Sequence, residues 1–172
     1  GLLALYEADF DSAWLVLAQK IQNIQDGRLG DDEGGYFYTS SEDKSLIRRS
    51  KDYHDGAKPN SNGVAVLNLM KLYHFTFEKR FFEKAKKSLL NAVADVSAYP
   101  SAHSQLLMAV DAYLDRFKEI AVIGQADDPQ TRKLLAFLGA EFLPNAVVAF
   151  SEPDHADSLP LTKGCVMKEG KP

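Results

Sequence analysis

Between residues 31 and 62 the sequence gathers Asp31, Asp32, Glu33, Tyr36, Tyr38, Arg48, Arg49, Lys51, Asp52, Tyr53, His54, Asp55, Asn60 and Asn62. Carboxylates among tyrosines and asparagines are the groups a sugar site uses. An acid protonates a leaving oxygen or activates water, amides bind hydroxyls, and aromatic faces cover the apolar side of a ring. Asp55, just ahead of an apolar helical run, is the first candidate for a general acid or base. The same carboxylate also suits an Asx-turn or cap organising Gly56 and Ala57, the commoner use of an aspartate ahead of a helix. Tyr38, Arg49, Lys51 and Asn62 are the candidate substrate-binding groups, the two cations as a clamp for an anionic substituent or as ordinary surface ion-pair partners.

Other chemistries find less support. Asp31, Asp32 and Glu33 read as a solvated acidic turn before Gly34-Gly35, and the alternation Tyr36-Phe-Tyr38 reads as a short strand with one tyrosine facing inward. His54 and His103 are separate candidates without a ligand spacing, so no metal site and no cofactor is expected. Ser61, Ser101 and Ser104 lack a nucleophile elbow, and Ser61 and Ser101 suit helix caps. Lys79, Arg80, Lys84, Lys86 and Lys87, interleaved with Glu83, form a solvated helix face and not a nucleic-acid patch. A single cysteine, Cys165, offers neither a disulfide nor a redox pair. With a net charge of −4, 45% hydrophobic residues and no membrane-length apolar run, the 172-residue chain is expected to be a soluble, cytoplasmic domain with no nucleic-acid or membrane partner.

The elements that must position these groups come from a repeat. At an offset of 67, Leu2, Leu5, Tyr6, Phe10, Ala18 and Lys20 recur as Leu69, Leu72, Tyr73, Phe77, Ala85 and Lys87, with Trp14 recurring as Phe81. Each copy reads as the end of one helix, a turn at the phenylalanine and a second helix. The run Ser61–Tyr73 is apolar nearly all round, as a helix buried on most sides must be. Lys79–Ser97 is amphipathic, with Phe82, Ala85, Leu89, Val93 and Val96 on one stripe. The first copy repeats the contrast: residues 2 to 8 are mostly apolar, and 11 to 26 carry a stripe of Trp14, Leu17, Ala18, Ile21 and Ile24. After Pro100, Ser101–Leu114 is a third apolar helix. Alternating inner and outer helices describe a toroid or solenoid. Then the period changes: Glu119–Gly124 and Asn145–Phe150 read as strands around a helix opened by Asp127-Asp-Pro, one βαβ unit with no phosphate loop, before a loop over 151–163. The expected fold is mainly α, a partial α/α toroid of helical hairpins over 1–117 with a small α/β tail over 118–172.

Gly34-Gly-Tyr-Phe-Tyr-Thr39, Arg49-x-Lys51-x-x-x-Asp55-Gly-Ala-x-Pro59-x-x-Asn62, Pro100-Ser-Ala, Glu119-Ile-x-Val-Ile-Gly124 and Phe142-Leu-Pro-Asn145 together resemble, in order, landmarks of the thioredoxin-domain-containing, spermatogenesis-associated protein family. The resemblance implies a longer protein with a thioredoxin-like domain bearing a Trp-Cys-His motif, followed by an α/α toroid similar to six-hairpin glycosidases and N-acylglucosamine epimerases. In such toroids the loops from outer to inner helices line the substrate cleft, which is the position of the roughly 30-residue connection holding Asp55. This sequence departs from the family at Asn60, Ser61 and Gly63, where Ser, Gly and Ser are more usual. The opening Gly1-Leu-Leu-Ala-Leu, which has no cap, and the stop at Gly170-Lys-Pro172, short of the family's Cys-containing end, are expected of a fragment. Two functions follow as expectations. One is a toroid that binds or processes a small carbohydrate; the other is a non-catalytic scaffold accompanying the thioredoxin-like domain. Either leaves apolar inner helices exposed, favouring a homo-oligomer.

Overall fold

The computed structural model describes residues 1–115 and 117–167; the expectation concerning Gly170–Pro172 lies outside the described residues. In chain order it forms α1 (Leu2–Asp9), α2 (Ser12–Leu29), α3 (Ser61–Thr76), α4 (Lys79–Ala98), α5 (Ser104–Leu114), β1 (Lys118–Ile123), α6 (Pro129–Ala140) and β2 (Ala146–Ser151). The mainly helical class and the small parallel sheet agree with the sequence reading.

The repeat is visible in the backbone. Helix α1 ends at Phe10 and α3 ends at Phe77, both left-handed with φ of 59° and 54°. Their amides return to the carbonyls of Tyr6 and Tyr73 at 2.7 and 2.6 Å. A left-handed non-glycine residue costs roughly 1–2 kcal/mol. The aromatic rings offset this: Phe10 meets Tyr6 and Phe150 edge-on at 5.9 and 5.7 Å, and Phe77 meets Tyr73 at 6.5 Å.

Helix α3 is the centre of the core. Its apolar girth buries Ala65, Val66, Leu69, Met70, Leu72 and Phe75, with Tyr6 of α1 and Phe81 of α4 closing on it. Gly63 lets α5 approach, because a methyl there would sit 2.7 Å from Gln105 Cγ and 2.9 Å from the Gln105 carbonyl carbon. The tail joins the same core: β1 and β2 pair in parallel from Lys118–Ala146 to Ile123–Ser151, and Val147 and Ala149 pack on the helices. Asp128 caps α6 by accepting the Thr131 amide at 2.8 Å.

Four local expectations are corrected. Ser61 is the first residue of α3; the cap is Asn60, whose Oδ1 accepts the amides of Asn62 and Gly63 at 2.9 and 3.1 Å. Ser101 lies in the 3-10 turn Pro100–Ala102 and caps nothing, since α5 begins after His103. Tyr36–Tyr38 makes a single antiparallel bridge, Gly30 to Tyr36, because this stretch pairs with side chains and helix ends instead of a second strand. The loop over 151–163 contains the 3-10 turn Pro153–Ser158. A further difference concerns α2: Leu15, Ala18 and Gln22 are buried, while Leu17, Ile21 and Ile24 of the expected stripe face outward.

Two of the helical glycines, Gly27 and Gly63, give opposite expected outcomes. Gly27 of α2 has open space around a would-be methyl, so Gly27→Ala should gain about 1 kcal/mol of helix propensity and raise Tm by about 2–4 °C. Gly63→Ala should lower Tm in the same thermal melts, since the clash with α5 outweighs the propensity gain.

Candidate functional site

The connection from Gly30 to Asn60 has little regular structure, so its backbone groups need other partners. Asn62, in the first turn of α3 and 1% exposed, supplies the main ones. Its Oδ1 accepts the Tyr36 amide at 2.6 Å, and its Nδ2 donates to the carbonyls of Tyr36 and Asp52, both at 3.1 Å. Asn60 works from the other side of the cap, donating from Nδ2 to the carbonyls of Asp52 and His54 at 3.0 and 3.2 Å. Two successive asparagines thus hold both strands of the connection against one helix N-terminus.

Asp55 ties that N-terminus to the next. Its Oδ1 accepts the Asn60 amide at 2.7 Å and its Oδ2 accepts the Gln105 amide at 2.8 Å, in the first turn of α5. Helix α5 therefore receives its cap from a residue fifty positions away. Asp55 also lines a shallow 270 Å³ depression with Pro59, Gln105 and Met108.

Lys51 is largely buried, and its ammonium donates to Asp31 Oδ2 at 2.6 Å, to the Gly34 carbonyl at 2.9 Å and to Asn91 Oδ1 at 3.1 Å. Asn91 Oδ1 also accepts the Tyr53 hydroxyl. The Lys51 hydrogen bond, followed by the Glu33 amide and the Lys51 and Arg49 charges, holds the Asp31 carboxyl below its ordinary range against a smaller desolvation effect. Burial, with Asp95 and Asp31 nearby, pushes the Tyr53 phenol up to about 12. Arg49 grips the Thr39 carbonyl through Nε and Nη2 at 3.0 and 2.7 Å, reaches the Arg28 carbonyl at 2.9 Å, and lies 4.1 Å over the Phe37 ring. Tyr36 points inward, donating to Asp26 Oδ1 at 2.7 Å and accepting from Gln22 at 2.9 Å; burial and Asp26 raise its phenol. Its neighbour Tyr38 is 54% exposed. Local desolvation and the Asp52 carboxylate raise that phenol, while Asp52 itself is held low, chiefly by the His54 amide.

Asp55 and Asn62 thus meet through Asn60, Lys51 and Arg49 sit deeper in the connection, and Tyr38 stands at the surface. The structure also brings together His54 and His103, whose rings meet edge-on at 4.6 Å; His103 is buried with Nδ1 against the Tyr99 carbonyl at 2.7 Å. The sequence reading passed over Asn60 as a cap and missed Asn91 and the Glu7–Lys71 ion pair at 2.6 Å, which lines a 700 Å³ cleft between α1, α6 and β2. A signal for Lys71 existed, since it is the one charge in the apolar run Ser61–Tyr73.

Repeated helical hairpins with a βαβ tail, joined by a connection pinned to the N-termini of α3 and α5, define a mainly helical repeat protein. No family model matches the chain. It is 33% identical to human spermatogenesis-associated protein 20 over 162 residues, which is 92% of this chain and 20% of that protein. The mouse counterpart is 32% identical over the same length, and an uncharacterized protein of Caenorhabditis elegans is 26% identical over 99% of the chain and 23% of its own length. The chain belongs to the spermatogenesis-associated protein 20 family, and spans about a fifth of the length of the curated relatives it matches.

Because Asp31 is held low by Lys51, its stabilising contribution is complete above the unfolded carboxylate range near pH 4 and is lost as pH falls through the lower folded value. Asp31→Asn should flatten the acid limb of urea midpoints measured from pH 6 to pH 2.5, and Lys51→Met should flatten it similarly. Asn62→Ala, which orphans the buried Tyr36 amide and two carbonyls, should cost about 2–4 kcal/mol in urea melts.

Proposed function

We propose that this chain is a structural sector of a helical ring, a toroid of hairpins over 1–117 braced by its long connection, and that it acts as a non-catalytic scaffold. The observation that carries the reading is the engagement of Asp55. Both carboxylate oxygens accept backbone amides, at 2.7 and 2.8 Å, from the N-termini of two inner helices. Both oxygens are thereby employed in fixing two helix ends, which is the work of a brace. Lys51, Asn62 and the Nε and Nη2 of Arg49 are likewise engaged by partners in the connection and on α2 and α4.

A second reading, a small-carbohydrate site, keeps Asp55 as acid or base with Tyr38, Arg49, Lys51 and Asn62 around the substrate. One observation favours it: Tyr38 presents an exposed ring beside the exposed Asp52 carboxylate, on the side where the inner helices begin. An aromatic face next to an acid suits a sugar ring.

Graded substitution separates the two. As a brace, Asp55 should yield two steps, because Asn keeps one acceptor and Ala keeps none. Asp55→Ala should lower Tm by about 2–8 °C, from about 1–2 kcal/mol, Asp55→Asn should fall between, and mono- and disaccharides or their phosphates should not move the parent Tm. A sugar-dependent rise that Asp55→Asn removes, with the unliganded Tm unchanged, would overturn the scaffold in favour of the carbohydrate site.

A further inference from the structure

Among the described residues, β1 and β2 form a parallel sheet of two strands, so each has one edge turned away from the other. The register fixes which groups lie there. The Lys118 amide donates to the Asn145 carbonyl and the Gly124 amide to the Ser151 carbonyl, so the ladder runs through the odd-numbered residues of β2. In a parallel pair the alternate residues point their amides and carbonyls the other way. On β2 these are Ala146, Val148 and Phe150. Phe150 is engaged, its ring on Phe10 and its amide beside the buried Tyr6 hydroxyl. Among the described residues, nothing pairs with the outward amides and carbonyls of Ala146 and Val148.

The 700 Å³ cleft follows that edge. Ala146 and Val148 line it, no residue of β1 does, and its walls are α1 with Lys71 on one side and α6 on the other. Helix α6 is thinly packed: of its described residues Thr131 alone is buried, and Leu135 and Leu138 stay half-exposed over the cleft. The charged groups there are only partly engaged. Lys71 commits one of its three ammonium protons, to Glu7 at 2.6 Å. Arg132 commits Nε, to the Ala126 carbonyl at 2.9 Å. Its Nη groups, the second Glu7 oxygen and the Glu141 carboxylate have no partner among the described residues.

We infer that the cleft is a docking slot for an extended polypeptide segment, which adds to β2 as a third strand and fills the space under α6. A bare strand edge selects a backbone, since an extended chain supplies carbonyls and amides at matching intervals. A sheet of only two strands gains most from the addition. Free groups of both signs beside the edge suit a segment that carries an acid and a base among apolar residues. The segment comes from the remainder of a longer polypeptide, because this chain corresponds to 20% of its human relative and the edge stays bare within it. The docking shares with the scaffold reading the premise of a longer parent, and Asp55 has no part in it.

Residue-resolved amide exchange on the 172-residue chain tests it. Alone, the chain should exchange the Val148 amide about tenfold or more faster than the amides of Val147 and Ala149, which donate to β1. Peptides of about fifteen residues, tiled over the part of human spermatogenesis-associated protein 20 outside the match, are then added singly. One tile or an overlapping pair should slow Ala146 and Val148 by about tenfold or more. N-methylation of alternate residues in that tile, which removes its donors, should abolish the effect. A Val148 amide already as slow as Val147 in the chain alone, or no tile that slows it, would overturn the docking. So would equal protection by the N-methylated tile, which cannot pair as a strand, or by an unrelated peptide of alternating valine and threonine, which would make the edge indifferent to source. The Asp55 melts report on a different part of the molecule, so the two readings fail separately.

Discussion

The side-chain amide of Asn62 is the interaction on which the rest depends. A thirty-residue connection of low regularity must bring polar backbone against the end of a buried helix, and each unmatched amide or carbonyl there costs as much as a lost hydrogen bond. One primary amide can accept once and donate twice in a single plane, and Asn62 does so to the two ends of the connection at Tyr36 and Asp52. An aspartate could not donate and a serine could not reach both. With those two points fixed, Gly35 can turn at a φ of 80° close under the Tyr53 hydroxyl, Lys51 can reach Asp31, and Asp55 can span to α5. The polar groups of the connection form much of its internal bonding. Their net worth lies less in the bonds formed than in the buried groups that would be left bare without them.

Most of the architecture was legible because it rests on period. The alternation of all-apolar and one-sided helices located α1 to α5, and the repeat located both phenylalanine turns. The βαβ tail followed from β-branched runs and an Asp-Pro helix start, signals that act over a few residues. What period cannot show is which of two apolar sides of a helix faces inward. On α2 the stripe read from spacing included Leu17, Ile21 and Ile24, and the core took Leu15, Ala18 and Gln22 instead, because Gln22 has the Tyr36 hydroxyl as a buried partner. On α4 the buried phenylalanine is Phe81, as its equivalence to Trp14 implies, and not the stripe member Phe82.

The site residues were legible by type, and their bonding partners were not. Asp55, Lys51, Arg49 and Asn62 stood out because charged and amide groups cluster ahead of an apolar helix, and all four are engaged in the structure. Their partners are mostly backbone atoms distant in sequence: Gln105 for Asp55, Gly34 for Lys51, Arg28 for Arg49. Sequence shows the side chain but not the carbonyl or amide that fold topology brings to it. Asn91 escaped notice for the same reason, being an ordinary surface residue of a helix until Lys51 and Tyr53 arrive. The capping alternative for Asp55 named the right kind of bond, but its amides come from Asn60 and Gln105 and not from Gly56 and Ala57.

The tip of the connection, residues 41–48, is exposed at every position, yet its two ends are fastened to the same ground. Ser41 donates to the Arg28 carbonyl, Arg49 reaches the same carbonyl, and the Tyr38 amide meets the Ser50 carbonyl. The tip is therefore a hairpin-like handle clamped at its base. Foreign sequence spliced into it, from a peptide tag to a whole domain, would enter a loop whose closure is already enforced by other bonds. A chain opened there would keep both broken ends moored to the body.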